Sequence, residues 1–282
     1  MKPNTHTGML SVFRPPLVFE LTGRSFTLEF DDGYDRELVF RDRKTLTFGT
    51  AGSEKEYAYE CLKIAKGCYF VNFEDPELRP RLGITLVLDL EQDLVTMALA
   101  HLYTNPKIPG MPSCDYVFGG IRRADGSVPA IRHGYTTDLV GKSVDWNYGY
   151  FDIAHVYATE HYYRVSFSPR GLARAVRGRP ELAKPDPAER KPSRQDVYED
   201  YCSVIRIRDR IYLVGLLETV KARRSGHGNS ILVLMDLDEM HDVGRSFGSN
   251  NEGGNGNNTF GAFGVVHDAS AVLARPSTLY TR

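Results

Sequence analysis

The chain has 282 residues, with 35 basic against 36 acidic side chains and 41% hydrophobic content. That balance supplies no basic footprint for nucleic acid or an anionic membrane surface, and no apolar run approaches the roughly 20 residues that cross a bilayer. The opening MKPNTHTGMLSVFRPP has no signal-peptide core, so a cytoplasmic protein is expected, with Cys61, Cys68, Cys114 and Cys202 as free thiols.

Residues 1–17 are irregular and predict an arm packed on the first unit. The first β-unit begins over 18–30 and turns at Asp31-Asp32-Gly33, where Asp and Gly accept the backbone of a tight turn. Glu37–Phe40 is the return strand and Thr45–Phe48 a third. Tyr57–Ile64 and Cys68–Glu74 follow as strands around a Lys66-Gly67 turn, and DPELRPRLG reads as a loop. Ile84–Leu90 is the next strand, and Leu94–Tyr103 a last long one, with a short helix through Met97, Ala98 and Ala100 as the alternative. Seven or eight strands on short turns predict an up-and-down antiparallel barrel. Residues 104–134, with Pro106, Pro109, Pro112 and Gly119-Gly120, are expected to connect this unit to the next.

The order then repeats. LVGKSVDWNYGYFDIAHVY (139–157) echoes LTGRSFTLEFDDGYDRELVF (21–40), and His161–Phe167 is a third strand. Tyr201–Arg208 corresponds to YECLKIAK, Ile211–Glu218 to CYFVNFE, and Ile231–Leu237 to ITLVLDL. A repeat of about 120–140 residues means two copies of a domain rather than a solenoid. The expected fold is therefore all-β: two tandem lipocalin-like antiparallel barrels, over 1–134 and 135–282. Pro169–Arg194 and the Gly/Asn-rich Gly248–Asn258 are read as flexible insertions at barrel ends.

The copies differ where chemistry would sit. Alternation places Phe26, Leu28 and Phe30 on one strand face in the first copy. The second has Val144, Trp146, Tyr148 and, further on, Tyr150 there. Trp146 and Tyr148 suit an aromatic or polyene ligand, with flat walls and polar tips. His155 and Tyr157 share a face on the return strand and make an acid–base pair. Glu218 ends an apolar strand and reads either as a solvated rim acid or as a poised catalytic one. Arg206 is a candidate carboxylate anchor, with the solvent face as its plainer place. Cys202 reads as core filler, and no HxH, HExxH or CxxC occurs, so no metal site is expected, nor is a serine nucleophile.

The paired LTGRSFTLEFDDG and LVGKSVDWNYG starts, the HVY and RIYLVGLLE strands and the closing GRSFG…FGAFG resemble the MoaF family over roughly residues 18–266. That resemblance implies an N-terminal and a C-terminal lipocalin-like half. More distantly, the second copy is similar to bacterial phenolic acid decarboxylases, single barrels of that kind. Their glycine falls on Gly141, their tyrosine pair on Trp146 and Tyr148, and their acidic residue on Asp209 before Ile211-Tyr212. With no P-loop or GxGxxG, no organic cofactor is expected.

The sequence therefore predicts a cofactor-free lyase- or isomerase-type enzyme acting on a small aromatic or apolar metabolite. Tyr148, His155, Tyr157 and Glu218 would be catalytic, and Trp146 and Arg206 would bind substrate. A non-catalytic carrier or sensor is the alternative, and a partner-binding scaffold with a filled core the third reading. Neither nucleic acid nor membrane is an expected partner, and homodimerisation is left open.

Overall fold

A computed structural model describes residues 12–75, 77–78, 81–103, 111–149, 152–168, 198–249 and 255–269. Eight strands form the first barrel: β1 (Ser25–Phe30), β2 (Asp35–Phe40), β3 (Thr45–Gly49), β4 (Lys55–Ala65), β5 (Cys68–Asp75), β6 (Arg81–Asp89), β7 (Leu94–Tyr103) and β8 (Met111–Ile121). Each pairs antiparallel with the next, and β8 closes on β1. Alternation does the sorting: Phe26, Leu28 and Phe30 point inward with Leu38, Phe40, Leu46 and Phe48 into one buried cluster.

After β9 (Gly134–Tyr135), the second barrel comprises β10 (Lys142–Asn147), β11 (Asp152–Tyr157), β12 (Tyr162–Ser168), β13 (Tyr198–Arg208), β14 (Ile211–Leu217), β15 (Asn229–Asp236), β16 (His241–Ser249) and β17 (Asn255–Asp268). A short helix, α1 (Thr219–Ser225), follows β14. β17 pairs with β10, and the β12–β13 pairing completes the ring, with β9 a short branch on β13. The expected architecture, two tandem antiparallel barrels, is the observed one.

Local detail supports duplication. β4 bulges between Lys63 and Ala65, and β13 at the equivalent Arg206 and Arg208. Left-handed backbone recurs at matching turn positions, Gly67 with Arg210 and Asp93 with Met240. The same sharp turn is thus kept in both copies, even where a non-glycine side chain must tolerate it.

Several expectations need correction. Residues 111–121 are not connection but the eighth strand of the first barrel. Their glycines disguise them; yet Gly119 is needed, because a Cβ there would press on the Glu29 carbonyl of β1. Gly248, Ser249 and Asn255–Asn258 belong to the β16–β17 ladder, whose bonds come from backbone and ignore side-chain composition. The strand expected from Ile84 starts at Arg81, whereas the strand expected over Leu94–Tyr103 is the one observed. The described part of the N-terminal arm touches both barrels: Arg14 donates to Glu60 at 3.3 Å and to Thr259 at 2.7 Å, and Phe13 stacks edge-on against Phe263. The segment 169–194 lies outside the described residues.

The barrels meet through their outer faces. Leu62, Ile64, Cys68, Phe70, Val87 and Ala98 of the first form one buried cluster with Ile205, Ile207, Ile211, Leu213, Leu232, Leu234 and Val243 of the second. Beside it lies Arg245, wholly buried. Its guanidinium donates to Asn257 Oδ1 at 2.9 Å, Thr85 Oγ1 at 3.0 Å and the Phe73 carbonyl at 3.4 Å, and covers the Phe247 ring. Gly83 makes the space, since a Cβ there would overlap the guanidinium. Burial lowers the Arg245 pKa to about 9.

Candidate functional site

The interior of the second barrel is aromatic but not apolar. Val144 and Trp146 of β10 and Tyr148 just beyond it point inward, as do Tyr157, Tyr163, Tyr212 and Phe260. Trp146 fits because its partner on β17 is Gly264, where a Cβ would strike the indole. Tyr148 donates to Asp242 Oδ2 at 3.3 Å, and the Ala262 backbone N–H donates to Asp242 Oδ1 at 2.7 Å. Burial pushes the Asp242 pKa up to about 8, so its carboxyl is mostly protonated at neutral pH. Among the described residues, three other buried polar atoms of this interior have no partner: Trp146 Nε1, His155 Nδ1 and Tyr157 Oη.

At one end of this barrel is a pocket of about 430 Å³. Ile153 and His155 of β11, Tyr163 and Val165 of β12, and Ile231 of β15 form its walls. Asp200, Glu218 and the α1 residues Val220, Lys221 and Arg224 complete it. The helix has no cap from its own N-cap residue, Glu218. Asp200 substitutes, accepting from the Thr219 hydroxyl at 2.5 Å and the Val220 N–H at 2.8 Å. Burial raises the Asp200 pKa. Glu218 accepts from Asn229 Nδ2 at 2.5 Å and Lys221 Nζ at 2.9 Å. His155 is only 5% exposed and packs edge-on against Tyr163. Burial lowers its pKa to about 4, so the imidazole is neutral near pH 7 and one ring nitrogen is an available base.

Of the residues proposed from sequence, His155 and Glu218 come together on the pocket. Trp146, Tyr148 and Tyr157 share the barrel interior beside it, and Tyr150 lies outside the described residues. Glu218 follows β14 rather than ending it, at the head of α1. Arg206 is exposed near the end of β13, away from the pocket, its Nε donating to Asp138 at 2.8 Å. Asp209 sits exposed in the β13–β14 turn. Sequence reasoning missed Asp242, Asp200, Tyr163 and the helix. Asp242 had left a signal: it shares strand parity with Gly244, opposite Val243, Arg245 and Phe247 of the seam.

Fold and site together define a protein of two tandem antiparallel barrels, the second with a ligand-sized pocket beside a polar aromatic interior. Residues 7–104, which hold the first barrel as far as β7, match the family model described as the MoaF N-terminal domain, in support of the MoaF resemblance. No curated protein matches the chain. Among the described residues, no helix is long and apolar enough to cross a membrane, and no group of three His, Cys, Asp or Glu is placed to hold a metal ion.

Proposed function

We propose that the second barrel is a cofactor-independent enzyme of lyase or isomerase type, acting on a small, largely apolar or aromatic metabolite. The observation that carries this reading is His155, a neutral imidazole with an unpartnered nitrogen in the wall of a pocket that Ile153, Val165 and Ile231 make apolar. A buried neutral base beside a substrate gains basicity once negative charge develops next to it. Asp242, held as the acid and bonded to Tyr148, is a proton donor within the same barrel. Tyr157 and Trp146 would hold a substrate oxygen and stack on its ring, and Glu218 would orient groups at the mouth. Cytoplasmic residence belongs to the proposal, and the four free cysteines suit a reducing compartment.

A carrier or sensor is the second reading. It is favoured by the position of Trp146, Tyr148 and Tyr157, none of which lines the pocket itself. Native mass spectrometry with a panel of small aromatic acids, phenols and ketones, reading bound mass and product mass together, separates the two. Product formation by the parent, lost in His155→Gln while the ligand still binds, supports the enzyme. Binding without product in the parent assigns a carrier. No binding of any compound sinks both.

A further inference from the structure

Among the described residues, the three unpartnered polar atoms of the second barrel's interior are not scattered. In the β10–β11 register Val144 faces His155 and Trp146 faces Ile153. Along the inner face of β11 the order is Ile153, His155, Tyr157. Trp146 and Tyr157 therefore lie one inward step to either side of the Val144–His155 pair, Trp146 diagonal to His155 and Tyr157 diagonal to Val144. Ile153 and His155 belong to the pocket wall; Trp146 and Tyr157, both 0% exposed, lie behind it.

A buried polar atom without a partner costs about 1–3 kcal/mol, and folded proteins keep few of them. Three on two neighbouring strands are a concentrated cost. The first barrel shows the ordinary solution. Its buried tyrosines are bonded, Tyr59 Oη donating to the Asp42 carbonyl at 3.0 Å and Tyr69 Oη to Glu20 at 2.6 Å. Even within the second barrel, Tyr212 Oη donates to Asp138 at 3.0 Å. Among the described residues, the unmet polar atoms of the second barrel's interior lie on the wall shared with the pocket, while its other two, Ser230 Oγ and Ser249 Oγ, sit on strand faces turned to the first barrel.

We infer that the ligand of the second barrel carries a hydroxyl or carbonyl oxygen that passes His155 and is bonded by the Trp146 N–H and the Tyr157 hydroxyl, while its hydrocarbon body rests on Ile153, Val165 and Ile231. This rests on the pocket reading above and narrows it to oxygenated apolar molecules whose polar end goes in first. A plain hydrocarbon would leave the donors unmet, and an anionic group at the leading end would have to shed its water in the interior.

Matched probe pairs test it. 4-Propylphenol is compared with propylbenzene, and butyrophenone with butylbenzene. Affinity is read by calorimetry and by the emission of Trp146, the single tryptophan of the chain. The expected result is at least one oxygenated probe binding about tenfold or more tightly than its hydrocarbon. In Tyr157→Phe, which removes one oxygen and keeps the ring, that gap should shrink severalfold while hydrocarbon affinity is unchanged. Equal affinity within both pairs, or a gap untouched by Tyr157→Phe, overturns the inference and leaves the pocket reading standing. No binding of any of the four overturns both.

Discussion

Replacing Asp242 by Asn should turn a pH-sensitive fold into a less sensitive one. Asp242 has an ordinary pKa of 3.8, raised by burial to about 8 in the folded chain. Between those values the folded protein holds one proton more than the unfolded, so stability falls as pH rises, by about 1.4 kcal/mol per pH unit. His155 acts in the opposite sense. Burial lowers its pKa from 6.5 to about 4, so in that window the folded protein holds one proton fewer and stability rises with pH. The two slopes oppose each other up to pH 6.5. Above it the Asp242 slope stands alone, amounting to about 2 kcal/mol lost by pH 8. Asn keeps the size and the oxygen that accepts from the Ala262 N–H but does not titrate. Urea unfolding followed by Trp146 fluorescence, in the parent and in Asp242→Asn, measures the difference directly. The variant should gain on the parent steadily as pH rises from 6.5 to 8, by about 2 kcal/mol, and the gap should level off beyond. A gap independent of pH across this window would refute the claim that Asp242 is held protonated.

Gly83→Ala should lower stability by about 1–3 kcal/mol, because the added methyl overlaps the buried Arg245 guanidinium; the urea midpoint reads it. Asp200→Ala removes the bonds to Thr219 and Val220, at a cost of about 1 kcal/mol, and should loosen α1 and weaken any ligand of the pocket; paired unfolding and binding titrations check both effects. Burial pushes the thiols of Cys61, Cys68 and Cys202 up to about 12 and that of Cys114 to about 11. All four should react with an aromatic disulfide reagent far more slowly in the native protein than in urea.

Strands were legible where alternation and turn chemistry agreed. Asp31-Asp32-Gly33 and Lys66-Gly67 mark real turns, with Gly33 and Gly67 in left-handed backbone. Inward parity also placed Trp146, Tyr148 and Tyr157 inside the second barrel. What failed was structure made by contacts distant in sequence. β8 looks like a linker because its usefulness lies in how closely Gly119 approaches β1. The helix α1 is only seven residues long and is capped by Asp200, from a strand paired elsewhere, so its own sequence does not announce it. Arg206 is exposed and bonded to Asp138, 68 residues earlier, a pairing that no local pattern announces. Which end of a barrel opens into a pocket is likewise decided by neighbours such as α1, not by the strands that line it.

The seam between the barrels is built largely from matching strands: β4 to β7 of one copy meet β13 to β16 of the other. That is the arrangement of an isologous homodimer, in which one surface patch meets its own counterpart. Here the counterpart is supplied by the same polypeptide, which makes association intramolecular and concentration-independent. It also frees the two patches to differ. Arg245 stands at the position that Ala98 holds in the other copy, and Gly83 at the position of Ser230. The lock therefore exists on one side of the pseudo-dyad only. A true homodimer would have to repeat it on both. One copy can thus keep a plain apolar interior while the other carries the unmet donors, a division of labour closed to two identical subunits.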